Sequence, residues 1–193
     1  DVERSRGLGD VYKRQVYEGD ETLTMTLSNP SNASISDTTG TFTVTDDESA
    51  PTVTLTTSAS NIAENAGTSL TLTATLSNAT DEDVTVVIGT SGTATEGTDY
   101  SNVSDITITA GSLTGTTTFT PTDDSTYETS TDETATIAIT SVSGGSATES
   151  GSQSVTITIN ENDSAPTVTL STSNTTIAEN SSSTLTLTAT LSN

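Results

Sequence analysis

From Val16 onward, apolar and polar positions alternate along most of the chain. Thr22–Ser28 sets Leu23, Met25 and Leu27 between threonines, and Gly40–Thr45 carries Phe42 and Val44 in the same way. A period of two marks strands with one buried face. Seven such stretches follow, at about 52–56, 68–77, 83–89, 105–109, 114–120, 134–142 and 153–160. Their inward sets read Val53, Leu55; Leu70, Leu72, Ala74, Leu76; Val84, Val86, Ile88; Ile106, Ile108; Phe119; Ile137, Ile139; Val155, Ile157, Ile159. Thr fills most outward positions, where its branched Cβ suits a pleated surface. Turn residues separate the stretches: Asn65-Ala66-Gly67, Ser77-Asn78, Gly92, Gly97, Gly111, Gly144-Gly145 and Gly151. No helical periodicity of useful length is present. The pattern predicts an all-β, antiparallel, seven-stranded, two-sheet Greek-key sandwich of immunoglobulin-like type.

The pattern also repeats. Ser49-Ala50-Pro51 before Thr52–Leu55 has a copy at Ser164-Ala165-Pro166 before Thr167–Leu170, and the spacing of Pro51 to Pro166, 115 residues, is also that of Asn78 to Asn193. A period of that size means tandem domains. Residues 16–48 then read as the C-terminal part of a first repeat, 49–163 as a complete repeat, and 164–193 as the N-terminal part of a third. The chain reads as a fragment of a longer repeat protein. Residues 1–15 differ abruptly in composition and resemble a translated sequencing-adapter artefact, so they are set aside as non-native or disordered.

Charge changes the picture most. All four basic residues (Arg4, Arg6, Lys13, Arg14) precede Val16, and no Lys, Arg or His follows, against a formal net charge of −22 for the whole chain. A surface without bases has nothing to hold a phosphate backbone, so nucleic acid is not an expected partner. Nucleophilic catalysis through Ser-His, Cys-His or Lys lacks its residues, and the absence of Cys removes disulfides and thiolate metal sites. No apolar run reaches the roughly 20 residues of a membrane span, so no direct membrane insertion of this segment is expected.

In a sandwich of alternating strands, loops one–two, three–four and five–six share one tip with the exit of strand seven. Eleven of the 15 acids between 52 and 163 fall at or near that tip, including Glu96, Asp105 and Asp132; only Asp81, Glu82, Asp83 and Glu149 fall at the other. Two carboxylates about 4 Å apart repel by about 4 kcal/mol at an effective dielectric near 20. With no base to neutralise them, the loops either stay solvated or close on a cation. Hard oxygen donors without Cys or His favour Ca²⁺.

The chain resembles the Calx-beta family, the repeat of sodium–calcium exchangers and of many large bacterial surface proteins. The resemblance rests on Ile62-Ala63-Glu64-Asn65-Ala66-Gly67, on Gly92-Thr93-Ala94-Thr95-Glu96-Gly97-Thr98-Asp99-Tyr100, on Asp123-Asp124-Ser125-Thr126-Tyr127-Glu128 with Asp132-Glu133, and on Ile159-Asn160-Glu161-Asn162-Asp163. The nine-residue motif is the specific one, and the others stand in family order. Ser125 and Asn162 depart from the family's acidic runs, and two extra residues separate Tyr127 from Asp132-Glu133 compared with Tyr17 and Asp20-Glu21. The resemblance implies that Glu64, Asp99, Asp123, Asp124, Glu128, Glu133, Glu161 and Asp163 hold calcium in the complete repeat. Glu18, Glu21, Asp46, Asp47 and Glu48 are the counterparts in the first repeat, and Glu179 in the last. Gly92, Gly97 and Tyr100 read as structural.

Two functions follow as expectations. The first is a non-enzymatic, calcium-binding structural or adhesive module of a large extracellular or cell-surface protein, secreted or associated with the membrane, serving adhesion or cell communication. Ca²⁺ would stiffen domain tips and junctions. Its partners would be neighbouring repeats of the same chain and a cell-surface or polysaccharide ligand. The alternative is a calcium-independent spacer, or a repeat that binds ice or polysaccharide on Thr-rich faces such as Thr71, Thr73 and Thr75. An acid–base pair of Asp123 and Asp124 is disfavoured, because adjacent loop residues rarely present the ~5–10 Å carboxyl separation of glycosidases.

Overall fold

The computed structural model describes residues 16–128 and 132–192; the segment 1–15 set aside above lies outside the described residues, as does Asn193. The described residues form strands and no helix. Before the central region come β1 (Val16–Tyr17), β2 (Glu21–Thr26) and β3 (Thr39–Val44). The central region holds β4 (Thr52–Thr57), β5 (Asn61–Ala63), β6 (Leu70–Leu76), β7 (Ala79–Thr80), β8 (Val84–Gly92), β9 (Ile106–Ile108), β10 (Thr114–Phe119), β11 (Glu133–Ser143), β12 (Thr148–Glu149) and β13 (Ser154–Asn160). After it come β14 (Val168–Thr172) and β15 (Leu187–Leu191).

Each of the seven stretches expected between 52 and 163 carries a strand: β4, β6, β8, β9, β10, β11 and β13. They build two sheets, one ordered β10-β6-β4-β12 and the other β5-β13-β11-β8-β9. The inward alternation of both sheets meets in one cluster, to which Val53, Leu55, Leu72 and Leu76 contribute from the first sheet and Val84, Ile108, Ile137 and Ile157 from the second. Tyr100 and Phe119 fill its end, their rings stacked with centroids 4.7 Å apart. Burying each Val, Leu or Ile side chain contributes about 1.5–3 kcal/mol, and this shared interior is what holds the sheets together.

The antiparallel expectation holds for the long strands, but β5 runs parallel to β13, β12 parallel to β4, and β1 parallel to β7. These strands of two or three residues have too few positions to show alternation. β5 matters most: the chain leaves the first sheet after Thr57 and joins the second at Asn61, pairing Ile62 with Ile159.

The flanking strands form two separate hairpins. β14 and β15 pair Val168 with Leu191 and Leu170 with Ala189, the register in which β4 and β6 pair Val53 with Leu76 and Leu55 with Ala74. β2 and β3 pair Glu21 with Val44 and Leu23 with Phe42, as β11 and β13 pair Glu133 with Ile159 and Ala135 with Ile157. The apolar residues of both hairpins are exposed.

Candidate metal centre

Four pieces of backbone converge at one tip of the sandwich. β5 carries the chain alongside β13, and the Glu64 N–H donates to the Asn160 carbonyl at 3.1 Å, which sets Glu64 next to Glu161. Glu133 opens β11 opposite Ile159, two residues before Glu161. The Glu128 N–H donates to Glu161 Oε2 at 2.9 Å and the Asp163 N–H to Glu161 Oε1 at 2.7 Å, so Glu161 organises the loops on both sides. The Asp124 N–H donates to Glu64 Oε1 at 3.2 Å.

Asp99 arrives by the Gly92–Tyr100 loop. Gly92 has φ +131°, and a Cβ there would stand 2.1 Å from the Thr134 carbonyl oxygen, so the close approach requires glycine. That carbonyl accepts from the Thr93 and Ala94 N–H groups, folding the loop over the start of β11. Tyr100 is buried, and the Thr122 N–H donates to the Asp99 carbonyl at 2.9 Å. The loop is thereby fixed to the segment leading to Asp123.

Two carboxylate groups result: Glu64 with Glu161 and Asp163, and Asp99 with Glu128 and Glu133. In each, one ligand oxygen from every residue lies within 4.8 Å of the others. Burial raises the Glu133 carboxyl to about 7, helped by the charges of Asp99 and Glu128. Burial also raises Glu64, against the Asp124 N–H and with the charge of Glu161. Glu128 is raised by burial and then by Asp99, and Asp163 by burial and then by Glu161. Glu161 goes the other way, held low by the N–H groups of Glu128 and Asp163.

The residues present fit a hard divalent cation. Glu133 Oε2 and Asp163 Oδ2, one in each group, are shut off from solvent and meet no hydrogen-bond donor. A buried acceptor without a partner costs about 1–3 kcal/mol, and no Lys, Arg or His follows Arg14 to supply one. An all-carboxylate donor set suits Ca²⁺ rather than zinc or copper.

A third group, Asp46 with Asp47 and Glu48, lies beyond β3. Asp46 Oδ2 accepts from the Glu18 and Gly19 N–H groups at 2.8 and 2.7 Å, the role Glu161 plays toward Glu128. With Glu18 and Glu21 these residues line a groove of about 140 Å³. The Glu48 N–H, and behind it those of Glu18 and Gly19, outweigh burial and lower Asp46; burial and then Asp46 raise Glu48.

Asp123, Asp124 and Glu179 lie outside these three groups. Asp123 and Asp124 are exposed and belong to neither group, although both charges act on Asp163. Glu179 is exposed in a turn. Glu96 and Asp105, counted toward the acidic tip by loop order, are committed elsewhere. Glu96 accepts from the Val103 N–H and the Thr90 hydroxyl, and Asp105 from the Ile88 N–H. Sequence reasoning gave Asp20 only its spacing, and Asp132 its spacing and a place at the acidic tip, without naming either as a ligand. Asp20 Oδ1 holds the Asp46 N–H at 3.0 Å, and Asp132 Oδ2 holds the Asn160 side chain at 2.9 Å. Their place directly before Glu21 and Glu133 was the available signal.

At the opposite tip the acids staple loops. Asp83 accepts from the Ala110 N–H, Glu82 from the Gly145 N–H, and Glu149 from the Gln153 N–H. There β1 lies along β7, and Tyr17, Glu18 and Gly19 face Asp81, Glu82 and Gly145 across a cleft of about 130 Å³.

A two-sheet sandwich with carboxylate groups gathered on one tip defines the class. A family model described as the Calx-beta domain matches residues 10–48 and 46–163, and the chain belongs to the Calx-beta domain family. Eleven solved chains match. One is the crystal structure of the apo form of the Calx CBD1 domain, at 20% identity and TM-score 0.47, covering 58% of this chain and 99% of that one. Among curated proteins nothing matches. No helix among the described residues is long and apolar enough to cross a membrane.

Proposed function

We propose that this chain is a calcium-binding, non-catalytic structural module of a larger extracellular protein, its repeats divided at residues 48/49 and 163/164. Glu64, Asp99, Glu128, Glu133, Glu161 and Asp163 hold the metal, with Asp123 and Asp124 closing over it from the exposed side. Asp46, Asp47 and Glu48, with Glu18 and Glu21, form the equivalent site of the preceding repeat. Bound Ca²⁺ neutralises carboxylates that have no basic partner and ties together loops that otherwise repel. Because Glu18 directly follows β1, and β1 is paired with β7, metal at Asp46–Glu48 also stiffens the junction. The observation that carries this reading is the pair of partnerless oxygens, Glu133 Oε2 and Asp163 Oδ2, each inside a carboxylate group.

On the outer Thr-rich face, two hydroxyls are turned to the sheet itself. The Thr54 and Thr56 hydroxyls point to the carbonyls of Thr75 and Thr73, at 3.4 Å, within the sheet.

Calcium affinity belongs in the range of about 10⁻⁴–10⁻³ M usual for extracellular modules. At about 10 mM Ca²⁺ such a site adds roughly 1.4–2.7 kcal/mol by mass action, which raises the melting temperature by about 5–10 °C. Calorimetric titration and thermal scans with Ca²⁺ or chelator test this, with Asp99→Asn and Glu161→Gln as controls. Identical scans in both conditions, with no binding heat, would falsify the metal reading.

A further inference from the structure

Glu96 falls inside the motif from Gly92 to Tyr100, yet it belongs to neither carboxylate group of the tip. The residues around it wind into one tight coil. The Thr98 and Asp99 N–H groups donate to the Thr95 carbonyl at 3.2 and 3.0 Å, and the Gly97 N–H donates to the Tyr100 carbonyl at 2.7 Å. Asp99 Oδ2 accepts from the Thr95 N–H, so the Asp99 carboxyl takes its direction from the coil. Glu96 ties this coil to the sandwich at two places. Its Oε2 accepts from the Thr90 hydroxyl at 2.8 Å, on β8 before the loop, and its Oε1 accepts from the Val103 N–H at 2.7 Å, beyond the coil. Tyr100, buried next to Asp99, turns its hydroxyl toward the same Thr90 side chain. One carboxylate thus joins the way into the coil, the way out of it and the buried ring at its end.

We infer that Glu96 is a positioning residue for the metal centre: it sets the coil that presents Asp99 to Glu128 and Glu133, and it touches no ion itself. Both of its oxygens already hold a donor, whereas Glu133 Oε2 in the metal group holds none. A coil ordered before the ion arrives has little freedom left to lose on binding, which strengthens the affinity. The inference rests on the calcium reading above and deepens it, by adding a residue that acts on the metal only through Asp99.

Two substitutions separate this role from a ligand's. Glu96→Ala removes both links. Glu96→Gln keeps them and loses the charge, since its carbonyl oxygen accepts from the Val103 N–H and its amide donates to the Thr90 hydroxyl oxygen. In calorimetric Ca²⁺ titration of the full chain, Glu96→Ala should bind about 10-fold more weakly or worse, the scale of partners that orient metal ligands. Glu96→Gln should stay close to the parent. Amide hydrogen exchange in chelator gives a readout that needs no metal. In Glu96→Ala the Gly97 and Asp99 amides should exchange faster than in the parent, while those of Leu72 and Ile157 in the core strands keep their rates. Glu96→Gln should leave both sets unchanged. A Glu96→Gln variant as weak as Glu96→Ala overturns the inference, because Glu96 would then be supplying charge at the ion. So does a Glu96→Ala variant that matches the parent in affinity or in exchange. So does one whose core amides speed up with those of the coil, since the effect would then be on general stability. A parent that takes up no Ca²⁺ overturns the calcium reading instead, and the exchange pattern in chelator still decides whether Glu96 fixes the coil.

Discussion

Glu133 shows how much one strand position decides. Pairing with Ile159 brings its carboxyl beside Asp99 and Glu128, and burial lifts its titration from 4.5 to about 7. A carboxyl raised in the fold contributes stability that is complete below pH 4.5 and lost as pH rises through about 7. Metal-free protein should accordingly lose stability across that window as far as Glu133 is concerned. Glu133→Gln removes the charge. Above pH 7 the metal-free variant should melt a few degrees higher than the parent, and the difference should vanish below pH 4.5. Its calcium affinity should fall by about tenfold or more, since even supporting residues of metal sites are worth about 10–100-fold. A variant that melts no higher than the parent in alkaline, chelated buffer contradicts the repulsion argument. At this scale the sequence was partly legible. Asp99 and Glu64 were marked by motifs, and the tandem repeat matched Asp46 to Glu161. The exposure of Asp123 and Asp124 was not legible, because it depends on which loop side chains turn inward. Nor was the commitment of Glu96 to Thr90 and Val103, which only the folded loop brings within reach.

Among the elements, the loop after β8 depends most on a single residue. At Gly92 a Cβ would meet the Thr134 carbonyl oxygen at 2.1 Å, and φ is +131°. Gly92→Ala should cost about 3 kcal/mol, the upper end for a residue forced into a disfavoured backbone region, and should weaken calcium binding because Asp99 rides on the same loop. Gly67 also has positive φ, at +60°, but nothing lies within 4 Å of its Cβ position, so Gly67→Ala should cost only about 1–2 kcal/mol. Chemical denaturation of both variants checks the ordering, and equal losses would count against the close approach. The long strands were legible because Thr and aliphatic residues alternate cleanly. β5 was not, since Asn61–Ala63 offers a single inward side chain, Ile62, which reads equally well as the start of a turn. That short strand is nonetheless what carries Glu64 to Glu161.

The molecule as a whole carries an uncompensated negative field. In chelator its stability should rise with sodium chloride, because the screening length falls from about 10 Å at 0.1 M to about 3 Å at 1 M. With calcium present the dependence should flatten. Thermal scans over that salt range with and without chelator measure both, and a salt-independent chelated protein would remove repulsion as the reason for binding metal. At this scale the 115-residue spacing is the ground on which the tandem organisation is proposed. The lateral contact of β1 with β7 was not legible, since two-residue strands leave no periodicity to read.

That contact has a geometric corollary. Two bodies joined by one peptide segment swivel freely about it. Here Ser49–Pro51 is one attachment, the pairing of Val16–Tyr17 with Ala79–Thr80 is another, and the Asn78 side chain donates to the Ser49 carbonyl between them. The two attachments lie side by side, at Asn78 and Ala79, so the flanking strands are held to that edge of the sandwich by more than the connecting peptide and swivel less than a single tether allows. A long row of such joints would inherit its heading from one member to the next, as a ruler does and a string of beads does not.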